Sequence, residues 1–190
     1  MIKPLRSASL ISIVMRPIFL IGFMGCGKST LGRALGAMTS LRFVDLDTLI
    51  EARCHRTINT IFKEDGEEHF RRIERRLLEE VSNGEDIVVA CGGGVPSYAD
   101  NMELMNSRGL TVYLNTSRDL LLRRLNAGRR SRPLLSGLDD SSLETFVDRL
   151  FAEREPYYSE AKATFSGDLL ESLEQIELSA NRFIESFHIN

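Results

Sequence analysis

Ile18-Phe19-Leu20-Ile21-Gly22-Phe23-Met24-Gly25-Cys26-Gly27-Lys28-Ser29-Thr30 combines two signals in thirteen residues. Four apolar residues in a row, without alternation, are expected of a strand buried on both faces, as in a parallel sheet. Gly22 to Ser29 then fit G-x-x-x-x-G-K-[ST], the Walker A pattern. Each residue type has a physical task there. Gly25 and Gly27 lack a Cβ, so the backbone can curl and turn successive N–H groups inward. Lys28 reaches the β- and γ-phosphates of a nucleotide as a point charge, and the Ser29 hydroxyl suits Mg²⁺, a hard ion that keeps most of its waters. A helix opening at Ser29 adds the partial positive charge of its N-terminus. Gly25, Cys26, Gly27, Lys28, Ser29 and Thr30 are therefore the expected ATP-binding residues. A buried strand before the loop and a helix after it separate this reading from a chance glycine-rich turn.

Working outward, Phe43-Val44 predicts a short strand that ends in Asp45 and Asp47. Thr48-Leu49-Ile50-Glu51 has capping-box spacing, which puts Asp47 immediately before a helix. Helix is expected over 57–63, and strongly over 66–82, where Phe70, Ile73, Leu77 and Val81 recur at steps of three and four. Ile87–Ala90 is another unbroken apolar run, leading into Cys91-Gly92-Gly93-Gly94. Pro96 and Ser97 open a helix to about residue 106. Residues 110–114 predict a strand, and Ser117 caps a helix over 118–127. Gly128-Arg129-Arg130-Ser131-Arg132-Pro133 follows as a basic loop without periodicity. Ser141-Ser142-Leu143-Glu144 is a second capping box, beginning a helix that ends near 156–159. A last strand is expected at 163–165 and a closing helix at 169–187. Five apolar strands alternating with helices imply an α/β fold of three layers, a five-stranded parallel sheet flanked by helices. Right-handed crossovers place ligands at the carboxyl ends of the strands.

The 190 residues suggest one domain, 43% apolar and 27% charged, which is ordinary for a globular chain with a full core. Lys and Arg number 24 against 27 Asp and Glu, a net charge of −3, which argues against non-specific nucleic-acid binding. Three cysteines, at 26, 54 and 91, form no C-x-x-C pair, and the three histidines show no metal-ligand spacing. That pattern fits a reducing, cytoplasmic setting. Residues 1–15 read as a flexible extension, their apolar stretch at 10–14 being cut by Arg16 and Pro17 and too short for a membrane span.

Beyond the phosphate loop, the chain resembles the shikimate kinase family from residue 18 to about 158. The resemblance is carried by Gly22 to Thr30, Phe43-Val44-Asp45-Leu46-Asp47, Phe70-Arg71-Arg72-Ile73-Glu74, Gly92-Gly93-Gly94, Arg132-Pro133-Leu134-Leu135 and Arg154-Glu155-Pro156-Tyr157. It implies a P-loop kinase fold in a single domain over 16–190, with a lid at about 125–137. It also implies Mg²⁺- and ATP-dependent phosphorylation of the 3-hydroxyl of shikimate, on the route to chorismate and the aromatic amino acids. Asp47 matches the family aspartate at the substrate hydroxyls, where it would accept or orient the reacting proton. Asp45, with Ser29, would lie near Mg²⁺. Arg71 and Arg154 match the pair that grips the substrate carboxylate, a task suited to the planar guanidinium. Gly92, Gly93 and Gly94 would let substrate approach the backbone closely. Arg132 would reach the transferring phosphoryl group as the lid closes, joining Lys28 and Asp47 as catalytic residues. Arg123 or Arg124 would stack on adenine. A small, monomeric enzyme with no nucleic-acid or membrane partner is the expectation.

Read alone, several of these residues have plainer roles. Glu67 lies four residues before Arg71, a spacing that explains both as a solvated helix pair. Asp47 would stabilise a helix N-terminus, and the arginines at 129, 130 and 132 would form an exposed basic loop. A gluconate or nucleoside monophosphate kinase shares the loop and lid, and a non-catalytic nucleotide-binding module shares the loop alone. Two residues depart from the family. Cys26 stands in the loop where a smaller residue is common; beside Lys28 at a helix N-terminus it is expected to be reactive and protected by ATP. Cys91 replaces a hydroxyl residue, and a thiol is a weaker partner for ordered water.

Overall fold

The structure, a computed structural model, describes residues 16–129, 135 and 137–189. The expected extension, Arg130 and Arg132 lie outside them. Five parallel strands form one sheet: β1 (Ile18–Ile21), β2 (Arg42–Asp45), β3 (Ile87–Ala90), β4 (Leu110–Asn115) and β5 (Ala163–Ser166), in the order β2-β3-β1-β4-β5. β1 is central, in register with Val88 to Ala90 of β3 on one side and Leu110 to Tyr113 of β4 on the other. All four residues of β1 and all four of β3 are buried, as unbroken apolar runs require between two helical layers. Burying each of their Ile, Leu, Val and Phe side chains contributes about 1.5–3 kcal/mol.

Seven α-helices flank the sheet among the described residues: α1 (Lys28–Met38), α2 (Leu46–Cys54), α3 (Ile58–Ser82), α4 (Asn101–Arg108), α5 (Arg118–Ala127), α6 (Asp140–Tyr158) and α7 (Leu173–Phe187). None is long and apolar enough to cross a membrane. The expected α/β fold with five parallel strands is the one found, but the boundaries of five helices differ. The cap of α2 is Asp45, whose carboxylate accepts from the Thr48 N–H, so Asp47 lies inside the first turn rather than before it. The two helices expected over 57–82 join into α3, broken at Gly66 (φ 83°, ψ 169°). Asp139, not Ser141, caps α6 by accepting from the Ser142 N–H. Pro96 and Ser97 lie in a 3-10 turn (Val95–Ser97) instead of opening α4, and α7 starts at Leu173, capped by Ser172.

Candidate active site

At the end of β1 the chain curls through Gly25 and Gly27, both at positive φ (81° and 103°), and enters α1 at Lys28. Gly27 thus performs the left-handed turn that aims the first N–H groups of α1 into the loop. The Lys28 ammonium donates to the carbonyls of Gly22 (2.8 Å) and Phe23 (2.9 Å). These neutral acceptors hold it across the loop until a stronger anionic partner takes it. The Ser29 hydroxyl donates to Asp45 Oδ2 at 2.6 Å, joining the start of α1 to the end of β2. Gly25, Gly27, Lys28, Ser29 and Thr30 line one wall of a cavity of about 510 Å³. Arg124, Leu170 and Glu171 line the other.

The two departures take different places from those expected. The Cys26 thiol is buried (1% exposed) beneath the loop, 3.6 Å from Lys28 Nζ, so its side chain is turned away from the nucleotide cavity, which it does not line. Cys91 is also buried, its sulfur 3.8 Å from Met105 Sδ; burial raises its pKa, and the thiol packs in the core instead of facing ordered water. The neighbouring arginines at 123 and 124 are placed differently. Arg123 is exposed and pairs with Glu171, whereas half-buried Arg124 donates to the carbonyls of Gly167 (3.0 Å), Asp168 (3.3 Å) and Gly25 (3.4 Å). Arg124 therefore ties the phosphate loop to the turn after β5.

On the other side of the loop a cavity of about 290 Å³ gathers Asp47, Arg71, Gly92, Gly93, Gly94 and Arg154. Met24, Ile58, Phe62, Phe70 and Glu74 complete its lining. It adjoins a wider cleft of about 780 Å³ that shares Arg71 and Arg154. The glycines are set by proximity. A Cβ on Gly94 would lie 2.7 Å from Arg71 Nη2, and one on Gly92 would lie 3.0 Å from Asp47 Oδ1. Asp47 is open to the cleft but crowded by protein elsewhere; that burial, followed by the charge of Asp45, raises its carboxyl pKa, with Lys28 and Arg71 opposing. Arg71 donates through Nη1 to Glu74 (2.9 Å) and through Nη2 and Nε to Glu67 (3.0 and 3.3 Å). Arg154 makes no ion pair with an acid among the described residues.

Two residues escaped the sequence reading, Glu74 in the cavity wall and Tyr158 against the glycine triplet. Glu74 is 1% exposed, and burial pushes its carboxyl up to about 7 despite the pull of Arg71. The signal was present, since Glu74 falls on the apolar stripe of α3 between Phe70 and Leu77. Tyr158, fully buried and stacked on Tyr113, donates its hydroxyl to the Gly93 carbonyl at 2.7 Å. No local pattern announces that contact across 65 residues. The cavity as a whole presents two guanidinium groups, two carboxyls and a glycine backbone beside a phosphate loop, a receptor for a small hydroxylated anion next to a phosphoryl donor.

A family model described as shikimate kinase matches residues 24–186. The chain belongs to the shikimate kinase family. A shikimate kinase of Phocaeicola vulgatus is 47% identical over 167 residues, 88% of this chain and 95% of its own length. That of Bacteroides thetaiotaomicron is 45% identical, covering 88% and 96%. Among solved structures, a shikimate kinase from Bacteroides thetaiotaomicron superposes with a TM-score of 0.88 at 43% identity, covering 92% of this chain and 99% of its own. A shikimate kinase from Acinetobacter baumannii in complex with shikimate gives 0.80 at 32% identity, covering 92% and 93%. Shikimate kinase membership thus extends across both cavities, from the phosphate loop to the last helix.

Proposed function

We propose that this protein transfers the γ-phosphoryl group of ATP to the 3-hydroxyl of shikimate, giving shikimate 3-phosphate and ADP. The observation that carries the reading is the convergence of Asp47, Arg71, the glycine triplet and Arg154 in one small cavity beside Lys28. The carboxylate of shikimate pairs with Arg154 and Arg71, and its hydroxyls lie toward Asp47 and the Gly92 to Gly94 backbone. Asp47, whose pKa is raised by its surroundings, is a better proton acceptor than a free aspartate and orients the attacking hydroxyl. Lys28 leaves its two carbonyls for the β- and γ-phosphates, and Gly25 to Thr30 cradle the rest through N–H groups and hydroxyls.

Ser29 and Asp45 fit Mg²⁺: both are hard oxygen donors, 2.6 Å apart at the loop, and phosphate and water supply the remaining ligands. When bound, the ion neutralises charge on the phosphate oxygens during transfer. The resemblance supports a lid over 125–137 in a single domain of 16–190, with Arg132 at the transferring group. A monomer in the cytoplasm, serving aromatic amino acid biosynthesis without nucleic-acid or membrane partners, completes the reading.

The test is acceptor-dependent ADP release with Mg²⁺-ATP, comparing shikimate, gluconate and nucleoside monophosphates at equal concentration. Turnover with shikimate alone is expected. ATP binding without shikimate turnover would leave only the nucleotide site standing.

A further inference from the structure

The two arginines of the acceptor cavity are in different states. Arg154 has no acid partner among the described residues, whereas every donor-bearing nitrogen of Arg71 is engaged. Nη1 faces buried Glu74, and the Nε–Nη2 edge faces a single carboxylate oxygen of Glu67 at 3.3 and 3.0 Å. That edge is the one that binds a carboxylate in two-point fashion. Glu74 is walled into the protein, so its bond to Arg71 is a permanent fixture. Glu67 is not: its side chain is 66% exposed and lines the wider cleft from which a ligand arrives. It also follows directly on Gly66, where α3 breaks, so it stands in the first turn of a restarted helix, one turn before Arg71 and on the same face.

We propose that Glu67 is a resident stand-in for the substrate carboxylate, so that acceptor binding is an exchange of one carboxylate for another on Arg71. This rests on the acceptor being the carboxylate proposed above. Arg154 is the open receptor that meets the incoming anion first. The anion then displaces Glu67 from the Nε–Nη2 edge, and Glu67 swings into the solvent of the cleft, where its charge is rehydrated at little cost. In the empty enzyme Glu67 keeps the guanidinium extended toward Gly94 and ready for a planar anion. The cost of the exchange is subtracted from acceptor affinity, which makes Glu67 a positioning residue that sets KM without touching the reaction.

Neighbouring Glu68 provides the control. It is exposed in the same cleft with the same charge, but it accepts from the Tyr98 hydroxyl (3.3 Å) and makes no bond to Arg71. Steady-state kinetics of the wild type, Glu67→Gln and Glu68→Gln test the exchange, with shikimate and with its methyl ester as acceptors. Glu67→Gln should lower the KM for shikimate about two- to fivefold, the scale of one exposed ion pair, with kcat and the KM for ATP unchanged. It should not improve the methyl ester, which cannot take the guanidinium edge as an anion. An unchanged or higher shikimate KM in Glu67→Gln overturns the exchange. So does an equal fall in Glu68→Gln, which would be a general effect of charge. Wild-type protein that turns over neither acceptor overturns the proposed activity as well, so the two failures are distinct.

Discussion

Glu74 lies under the glycine triplet with its carboxyl pushed up to about 7 from 4.5, chiefly because burial disfavours the charge. A carboxyl whose pKa is higher folded than unfolded stabilises the fold below the unfolded value, and that contribution is lost as pH rises through the folded value. The loss therefore falls between about pH 4.5 and 7. Glu74→Gln removes this titration. Its stability should match the wild type near pH 4.5 and exceed it above pH 7 by about 2–3 kcal/mol, read as a higher melting temperature. Parallel melting curves across that range would mean that Glu74 titrates alike in both states. The same variant should bind acceptor less well, because Arg71 loses its buried anchor. Arg154 presents the opposite case. It makes no ion pair with an acid among the described residues, and the proposed function gives it the acceptor carboxylate as its partner. Arg154→Ala should raise the KM for shikimate about 10- to 100-fold, the worth of charge-assisted bonds, while the KM for ATP holds. Equal loss at both substrates would make Arg154 a structural residue.

Helix α3 shows how an element serves the site through its defect. Gly66 sits at φ 83° and ψ 169°, a region nearly reserved for glycine, and nothing lies within 4 Å of where its Cβ would be. The residue is demanded by backbone conformation, not by space. Gly66→Ala should cost about 1–3 kcal/mol of stability. On a chain of this size that lowers the melting temperature by about 2–4 °C per kcal/mol. It should also raise the KM for shikimate, since Phe62 precedes the break and Arg71 follows it. An unchanged melting temperature would show that the break relaxes freely. The sequence disclosed the strands and the phosphate loop because both are local: unbroken apolar runs and a fixed spacing of glycines, lysine and serine. It misplaced the caps of α2 and α6 because each has two good capping residues close together. Asp45 prevails over Asp47 through a contact that spacing does not encode, with Ser29 across the sheet. Arg123 and Arg124 are adjacent on a helix and face directions about 100° apart. Only the position of α5 against the turn after β5 decides which points inward. Tyr158 and Gly93 meet solely because α6 returns across the sheet.

For the whole molecule, strand order divides the labour. β1, carrying the phosphate loop, is central; β3 and β2 lie on one side and β4 and β5 on the other. The acceptor cavity is built after β2 and β3, by Asp47 and the glycine triplet, and the nucleotide cavity against α5 and the segment after β5. In the proposed reaction the phosphoryl group would thus pass across Lys28, from one half of the sheet to the other. Helix α6 spans the halves. It begins beyond the expected lid, where Arg129 bonds the Leu138 carbonyl at 2.6 Å, and ends with Arg154 in the acceptor cavity and Tyr158 bonded to the Gly93 carbonyl. Changes confined to one half should therefore alter one substrate only. Arg124 makes the sharpest test, because its guanidinium ties Gly25 to Gly167 and Asp168 within the nucleotide half. Arg124→Ala removes a charged donor from three carbonyls, which is worth about 1.5–3 kcal/mol per such bond at most. The KM for ATP should rise at least about tenfold, each 1.4 kcal/mol being a factor of ten. The binding of shikimate to the nucleotide-free protein, followed by calorimetry, should be unchanged. A matching loss of shikimate binding would mean that the phosphate loop is one cooperative unit whose collapse reaches the glycine triplet, and that the two halves are not separable.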